Sequence, residues 1–173
     1  MILIIRAFLV LALILSPVFS HAQELKATHG DWYLLKGEVD HAPVCYILST
    51  PKESKGNFKF RGDAYLIISN SDDHADEVNA SPGYFYKKES VATLEFPASA
   101  SKKIEPFKLF TKDKNAWAKT PEEDFKIVNE MKERGFLYMK GTSSKGTISS
   151  DKYSLKGFSA AYDEMKKTCG AKE

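Results

Sequence analysis

The sequence predicts a mainly β protein, an antiparallel β-sandwich of jelly-roll-like or barrel-like form that carries two α-helices. The first observation is a series of short runs in which apolar and polar residues alternate, with Pro and Gly between the runs. The second is that this period of two changes to a helical period at two places, about residues 121–134 and 159–168. Many short strands with Pro and Gly turns are typical of sandwiches and barrels.

Residues 1–22 have the features of a secretory signal peptide. An apolar run from Ala7 to Leu15 follows a single basic residue, and Ser20 and Ala22 are small residues of the kind found at cleavage sites. A retained membrane anchor is the alternative, but the run is short for a spanning helix. We therefore predict a periplasmic or secreted protein with a single mature domain, residues 23–173, and no further membrane segment.

The first half of the mature domain is predicted to consist of strands. A hairpin is expected from a strand that ends at Leu35 and a second strand, Val44–Thr50, joined by the polar loop 37–43. The run Ala64–Ser69 is apolar on both faces, which predicts a central strand covered on both sides. Two later runs alternate again, Val91–Phe96 and Phe107–Thr111.

The first helix is predicted from its N-terminus. Thr120 at the N-cap, Pro121 at the first helical position and Glu123 at the third form a capping box. Gly135 ends the helical pattern.

A final hairpin and the second helix complete the chain. Phe136–Thr142 and Tyr153–Phe158 are the predicted strands, and the polar tip 143–151 between them is longer than a hairpin needs. The following apolar residues have helical spacing and define one stripe: Phe158, Ala161, Tyr162, Met165 and Cys169.

Cys45 and Cys169 are the two cysteines of the chain. In an exported protein such a pair predicts a disulfide, which would join the first hairpin to the last helix. Closing so long a loop stabilises by about 4 to 5 kcal/mol in the chain-entropy model. The alternative is two free buried thiols. A structural zinc site is not expected, because two isolated cysteines supply only half of its ligands.

Charge and motifs exclude several function classes. The formal net charge is +2, too small an imbalance for a nucleic-acid partner, which needs a clustered basic surface. The acidic segment 72–77 lacks the glycine and final glutamate of a calcium loop, so we predict a solvated loop, no metal and no cofactor.

Motifs of hydrolases are weak in this sequence. Ser149 and Lys152 form an SxxK pair, but the Lys-Gly-Thr triplets nearby lie in the predicted hairpin, and no GxSxG elbow is present. We predict that the protein is not an enzyme, and a hydrolase is the third-ranked alternative.

Four stretches resemble the invasion-associated locus B family: GDW from Gly30, CYILSTPK from Cys45, KLFTKDKNAW ending at Trp117, and GTSSKGTISSDKYSLKGFSAAYDEM from Gly141. The resemblance covers nearly the whole mature chain. It implies an envelope or secreted protein of a Gram-negative alphaproteobacterium, associated in pathogens with entry into host cells, and it implies no catalytic residues. Many members have a further cysteine shortly after GDW, where this chain has Leu35 and Lys36.

The sequence therefore predicts a non-catalytic protein that binds a protein or cell-envelope partner. The alternative is a periplasmic carrier of a small hydrophobic or sugar ligand. The tip of the last hairpin is the predicted functional surface, since recognition residues concentrate on loops held by a rigid scaffold. An ordinary turn is the competing interpretation. The candidate binding residues are Ser143, Ser144, Lys145, Gly146 and Lys152.

Aromatic residues have two possible roles. Trp32 and Trp117 are predicted to be structural, with Trp32 buried. Six aromatic residues, Trp117 among them, could line a ligand groove or fill the core, and core filling is the favoured interpretation: Tyr84, Phe85, Tyr86, Phe107, Phe110 and Trp117.

Overall fold

The computed structural model describes residues 23–39, 42–70, 76–98 and 104–169. The predicted signal peptide and residues 71–75 of the acidic segment lie outside the described residues. The described strands are β1 Glu24–His29, β2 Trp32–Val39, β3 Ala42–Ser49, β4 Glu53–Gly56, β5 Tyr65–Asn70, β6 Glu77–Ser81, β7 Val91–Glu95, β8 Phe107–Lys112, β9 Asn115–Trp117, β10 Phe136–Thr142 and β11 Ile148–Ser154. The described helices are α1 Pro121–Glu133 and α2 Phe158–Cys169.

The predicted mainly β, antiparallel class with two helices is confirmed. In the described residues all eleven strands belong to one open sheet, in the order β1-β2-β3-β5-β6-β9-β8-β7-β10-β11-β4. Every pairing is antiparallel. The strands thus form a single continuous sheet in place of two separate stacked sheets, because β5, β6 and β9 connect the β2–β3 hairpin to β8.

The sheet curls until strands from distant positions meet. Trp32, at the start of β2, donates a hydrogen bond from Nε1 to the carbonyl oxygen of Ser154, at the end of β11, over 3.0 Å. Its ring also packs edge-on against Phe158 of α2, with ring centroids 5.0 Å apart. Because seven strands separate β2 from β11 in the sheet order, this contact requires strong curvature.

One face of the curled sheet forms the hydrophobic core. Alternate residues of the strands point to this face and are buried, as the period of two requires. Both helices contribute to the same cluster and pack on the inner face. The fully buried strand residues include Leu34, Ile47, Leu66, Ile68, Leu94, Leu109, Leu137 and Tyr153.

Both helices agree with their sequence signals. Thr120 is the N-cap of α1 and its Oγ1 accepts a hydrogen bond from Glu123 N over 3.3 Å. The Glu123 carboxylate accepts from Lys119 N, one residue before the expected N-cap amide. In α2 the predicted apolar stripe is buried as far as its side chains are described: Phe158, Ala161, Tyr162 and Met165.

A buried carboxylate joins α1 to the sheet. Asp124 Oδ1 accepts a hydrogen bond from Val78 N of β6 over 2.8 Å. Burial raises the pKa of Asp124 to about 6, and the nearby charges of Glu77 and Asp76 act in the same direction. Among the helices of the described residues, neither is long and apolar enough to cross a membrane.

The predicted double coverage of the run 64–69 does not occur. Leu66 and Ile68 of β5 are fully buried, but Tyr65 and Ile67 on the outer face are only half-buried. The physical reason is that α1 and α2 both pack on the inner face, so the outer face of β5 has no helix over it in the described part of the chain.

The predicted disulfide would connect two elements that are packed together. Cys45 is buried on β3, and α2 contacts both β2 and β3. The described residues include no free cysteine. The side chain of Cys169 lies outside the described residues, so its pairing with Cys45 stays a prediction.

Trp32 and Trp117 provide a matched pair of substitutions. Trp32→Ala removes a fully buried ring and should lower the free energy of unfolding by about 3 to 5 kcal/mol. Trp117 is half-buried and stacked on Phe110 at 5.3 Å, so Trp117→Ala should cost only about 1 kcal/mol. Urea denaturation measures both. Equal losses of unfolding free energy for the two variants would contradict the full burial of Trp32.

The disulfide is tested by counting thiols in the mature protein, unfolded without reductant. We expect no reactive thiol before reduction and two afterwards. Reduction should also lower the free energy of unfolding by about 4 to 5 kcal/mol, less any strain in the bond. Two reactive thiols before reduction would show that the cysteines are unpaired.

Candidate functional site

Three loops and one turn line a groove in the described structure, with a volume of about 520 Å³. Residues 57–61 follow β4, residues 83–85 follow β6, and residues 143–147 connect β10 to β11. Lys114, in the turn between β8 and β9, closes the fourth side. A volume of this size lies in the range of small-molecule sites. We call this feature the aromatic groove.

Aromatic side chains form the walls of the aromatic groove. Phe58 and Phe60 come from the loop after β4, and Tyr84 and Phe85 come from the loop after β6. Phe60 is 94% exposed and Phe85 is 53% exposed. Two rings from separate loops are thus presented to solvent at one place, although each could bury a large apolar area.

The charge at the aromatic groove is positive. Lys59, Lys114 and Lys145 are lining residues, and the lining includes no Asp or Glu. The Nζ of Lys114 lies 4.8 Å from the centroid of the Phe85 ring, and the Arg61 guanidinium lies 4.6 Å from that of Phe58. These cation–π contacts hold both rings against the walls.

A buried ion pair fixes the loop that carries Phe58 and Phe60. Arg61 binds Asp151 of β11 in a bidentate manner, with Nη1 to Oδ2 at 2.8 Å and Nη2 to Oδ1 at 2.5 Å. Both side chains are buried, and the hydrogen bond to Asp151 raises the pKa of Arg61. Arg61 also donates to Ser54 Oγ and to the carbonyl oxygen of Pro82. All these contacts anchor the loop to the sheet.

Backbone contacts join the loops to one another. Gly62 N donates to Gly83 O over 2.9 Å, and Ser144 N donates to Phe85 O over 2.7 Å. Gly83 has φ +76°, and a Cβ there would lie 2.1 Å from Gly62 O. Only glycine allows this approach. The Tyr84 hydroxyl lies 2.7 Å from Ser149 Oγ, and this hydrogen bond connects the loop 83–85 to β11.

Of the predicted tip, the structure brings Ser143, Ser144 and Lys145 to the aromatic groove. The tip is shorter than predicted, since β11 begins at Ile148 and the turn is residues 143–147. Gly146 has φ +82°, which explains why the turn requires glycine there.

Lys152 is not part of the groove lining. Its Nζ pairs with Glu53 Oε1 at 3.2 Å and lies 4.7 Å from the centroid of the Phe136 ring. Ser149 of the SxxK pair is buried on the inner face of β11. Because residues three apart on a strand point to opposite faces, Ser149 and Lys152 do not meet.

Other sequence candidates have structural partners. Asp76 of the acidic segment accepts a hydrogen bond from the Tyr162 hydroxyl over 2.8 Å. In the described residues no group of three or more His, Cys, Asp or Glu side chains could hold a metal ion. Of the six aromatic candidates, Tyr84 and Phe85 line the groove, whereas Tyr86 is buried and Phe107 packs against the core.

Sequence reasoning missed the segment 57–61, NFKFR, and Lys114. The available signal was the alternation of Phe58 and Phe60 with Lys59 and Arg61, which has the period of a strand but places a cation after each aromatic residue. Exposed aromatic residues between cations are typical of a binding surface.

Comparison with models of known protein families matches residues 32–166 to the model described as Invasion associated locus B (IalB) protein. The match spans 166 − 32 + 1 = 135 of the 173 residues, more than half of the chain. That description mentions no enzymatic activity. Searches of curated proteins and of solved structures found no match.

The buried pair gives a direct test of what holds the groove. Arg61→Met leaves Asp151 buried without its partner and should lower the free energy of unfolding by about 3 to 5 kcal/mol. Lys152→Met removes an exposed ion pair on the same strand and should cost no more than about 1 kcal/mol.

The double variant Arg61→Met with Asp151→Leu should recover part of the loss, because no charge is then left buried. Urea denaturation of the four proteins measures these differences. If Arg61→Met unfolded at the parent's midpoint, the pair would not anchor the loop.

Proposed function

The chain belongs to the invasion associated locus B (IalB) family, and on this premise we propose that it is an exported, non-catalytic binding protein. Its aromatic groove binds a protein or cell-envelope partner. The predicted signal peptide supports a periplasmic or secreted location.

One observation carries the proposal: the exposure of Phe60 on a rigid frame. The ring is 94% exposed, yet its loop is fixed at Arg61 by a buried ion pair and at Gly62 by a backbone hydrogen bond. A fixed apolar side chain in solvent gains free energy only when a partner covers it. Aromatic anchors held in this way bind with little loss of conformational entropy.

The chemistry of the lining favours binding over catalysis. The lining includes no His, Cys, Asp or Glu, so the groove offers no carboxylate or imidazole as a general base. The hydroxyl of Ser143, one of its serines, accepts a hydrogen bond from Thr147 N and so stabilises the turn.

A small-molecule carrier is the second candidate, and the volume of the groove favours it. About 520 Å³ would hold a sugar or a small hydrophobic ligand against aromatic walls. A ligand between the strands is not supported, because the core around Tyr153 and Met139 leaves only about 10 Å³ of space. A carrier would therefore use an open surface, either the aromatic groove or the depression of about 410 Å³ beside Tyr65 and Ile67.

Photocrosslinking tests the proposed function. A photoreactive amino acid replaces Phe60, and in a matched control it replaces Phe125, which is 61% exposed on α1. After irradiation of whole cells and of the secreted fraction, we expect a discrete adduct from position 60 and none from position 125. Lys145→Glu should weaken the adduct. Gly146 is left unchanged, because its positive φ makes Gly146→Ala strained.

Two results would contradict the proposal. One is equal adduct formation from both positions, which would mean random collision. The other is the absence of any adduct from position 60 in every fraction. Native mass spectrometry of the purified protein distinguishes a small-molecule carrier from a protein that binds a macromolecular partner. A carrier would retain a small ligand that Phe60→Ala releases.

A further inference from the structure

We infer that the occupant of the aromatic groove is an extended polypeptide segment that carries carboxylates and apolar side chains, and that it adds as a strand to the free edge of β4. This inference rests on the proposed function and names the chemistry of the partner.

The position of β4 provides the docking edge. β4 is the last strand of the sheet order and pairs with β11 alone, so in the described residues its other edge has no neighbouring strand. All four residues of β4 are exposed. A strand edge of this kind presents unpaired backbone N–H and C=O groups, the template for addition of a peptide strand.

The chain passes from this edge directly into the groove. Gly56 ends β4, and the next residues, 57–61, form one wall. The end of the β4 edge therefore adjoins the wall that carries Phe58 and Phe60, so a segment paired with β4 could reach both rings. Ile148, 67% exposed at the start of β11 opposite the end of β4, offers a further apolar contact.

The opposite edge of the sheet lacks these features. β1 also pairs on one side only, but its register with β2 shifts between Leu25 and Ala27. Such irregularities discourage strand addition. The register of β4 with β11 runs without a shift over Glu53–Gly56. Of the two edges, β4 is therefore the one open to a regular ladder.

Charge complementarity selects an acidic segment. The groove contributes Lys59, Lys114 and Lys145 with no carboxylate in its lining, and the one arginine there is neutralised by Asp151. Within the groove a polybasic segment would meet only like charge, whereas carboxylates would be attracted and steered to the lysines. Alternate side chains of an added strand point to one face, so apolar and acidic residues should alternate in the partner.

The test uses a phage-displayed library of random peptides of about twelve residues. The library is selected on the mature protein and counter-selected on a double variant, Lys59→Glu with Lys145→Glu, in which both substituted side chains are exposed. We expect enrichment of acidic sequences in which apolar residues alternate. The double variant should weaken binding of the synthesised best peptide by at least about tenfold. The matched control is Lys119→Glu, just before α1, with Lys126→Glu on α1, both exposed, and it should change binding less than about twofold.

Backbone methylation separates strand addition from simple groove binding. N-methyl groups are placed on those alternate residues of the peptide whose backbone N–H groups would pair with β4. This removes the hydrogen-bond donors and should weaken binding by at least about tenfold. Hydrogen exchange should show new protection over Glu53–Gly56 and none over β1. Selection of no peptide, selection of neutral or basic peptides, or equal binding of the N-methylated and the unmethylated peptide would overturn the inference. If position 60 still crosslinks a partner in cells, the proposed function survives that result.

Discussion

The closure of the curled sheet depends on one close contact between two backbone segments. The turn between β1 and β2 touches the segment between β11 and α2, where Asp31 N donates to Lys156 O over 3.0 Å. Two glycines make this possible. A Cβ at Gly30 would lie 2.4 Å from Lys156 O, and a Cβ at Gly157 would lie 2.1 Å from His29 O. Since both have positive φ, no other residue type satisfies either position without strain.

This contact positions β11 so that its side chains contribute to the core and also hold the loops of the groove. The inner face of β11 contributes buried Tyr153 to the core. The same face contributes Ser149 and Asp151, which hold Tyr84 and Arg61. Burial of a charged pair is costly unless its hydrogen bonds are complete, and here the carboxylate is bound by a bidentate guanidinium. The polar network thereby transfers the rigidity of the sheet to loops that expose Phe60 and Phe85.

The parts of the fold that local patterns determine could be predicted from the sequence. The N-cap at Thr120 and the stripe of α2 depend on neighbours three or four residues away, and both occur. The strands β1, β4, β6 and β9 were missed, because ESKG and EVNAS are polar, NAW is too short for a period to show, and ELKATH has only Leu25 and Ala27 as apolar residues. Tertiary pairing, not their own composition, makes these segments strands.

The groove could be predicted only in part. The tip residues 143–145 were identified from turn composition, a local signal. The opposite wall depends on Arg61 meeting Asp151, 90 positions further along the chain, which no local pattern reveals. Lys152 was assigned to the site for a similar reason. Its position away from the groove follows from the pairing of β11 with β4, which is also distant in sequence.

The central claim is that the loops of the groove are fixed before any partner binds. Hydrogen exchange of the free protein, measured for individual amides, tests it most directly through the amides of Gly62, Tyr86 and Ser144, which donate between loops. The account predicts that they exchange as slowly as amides of the β10–β11 ladder. Exchange at the rate of unstructured loops would contradict it, because the groove would then form only on binding.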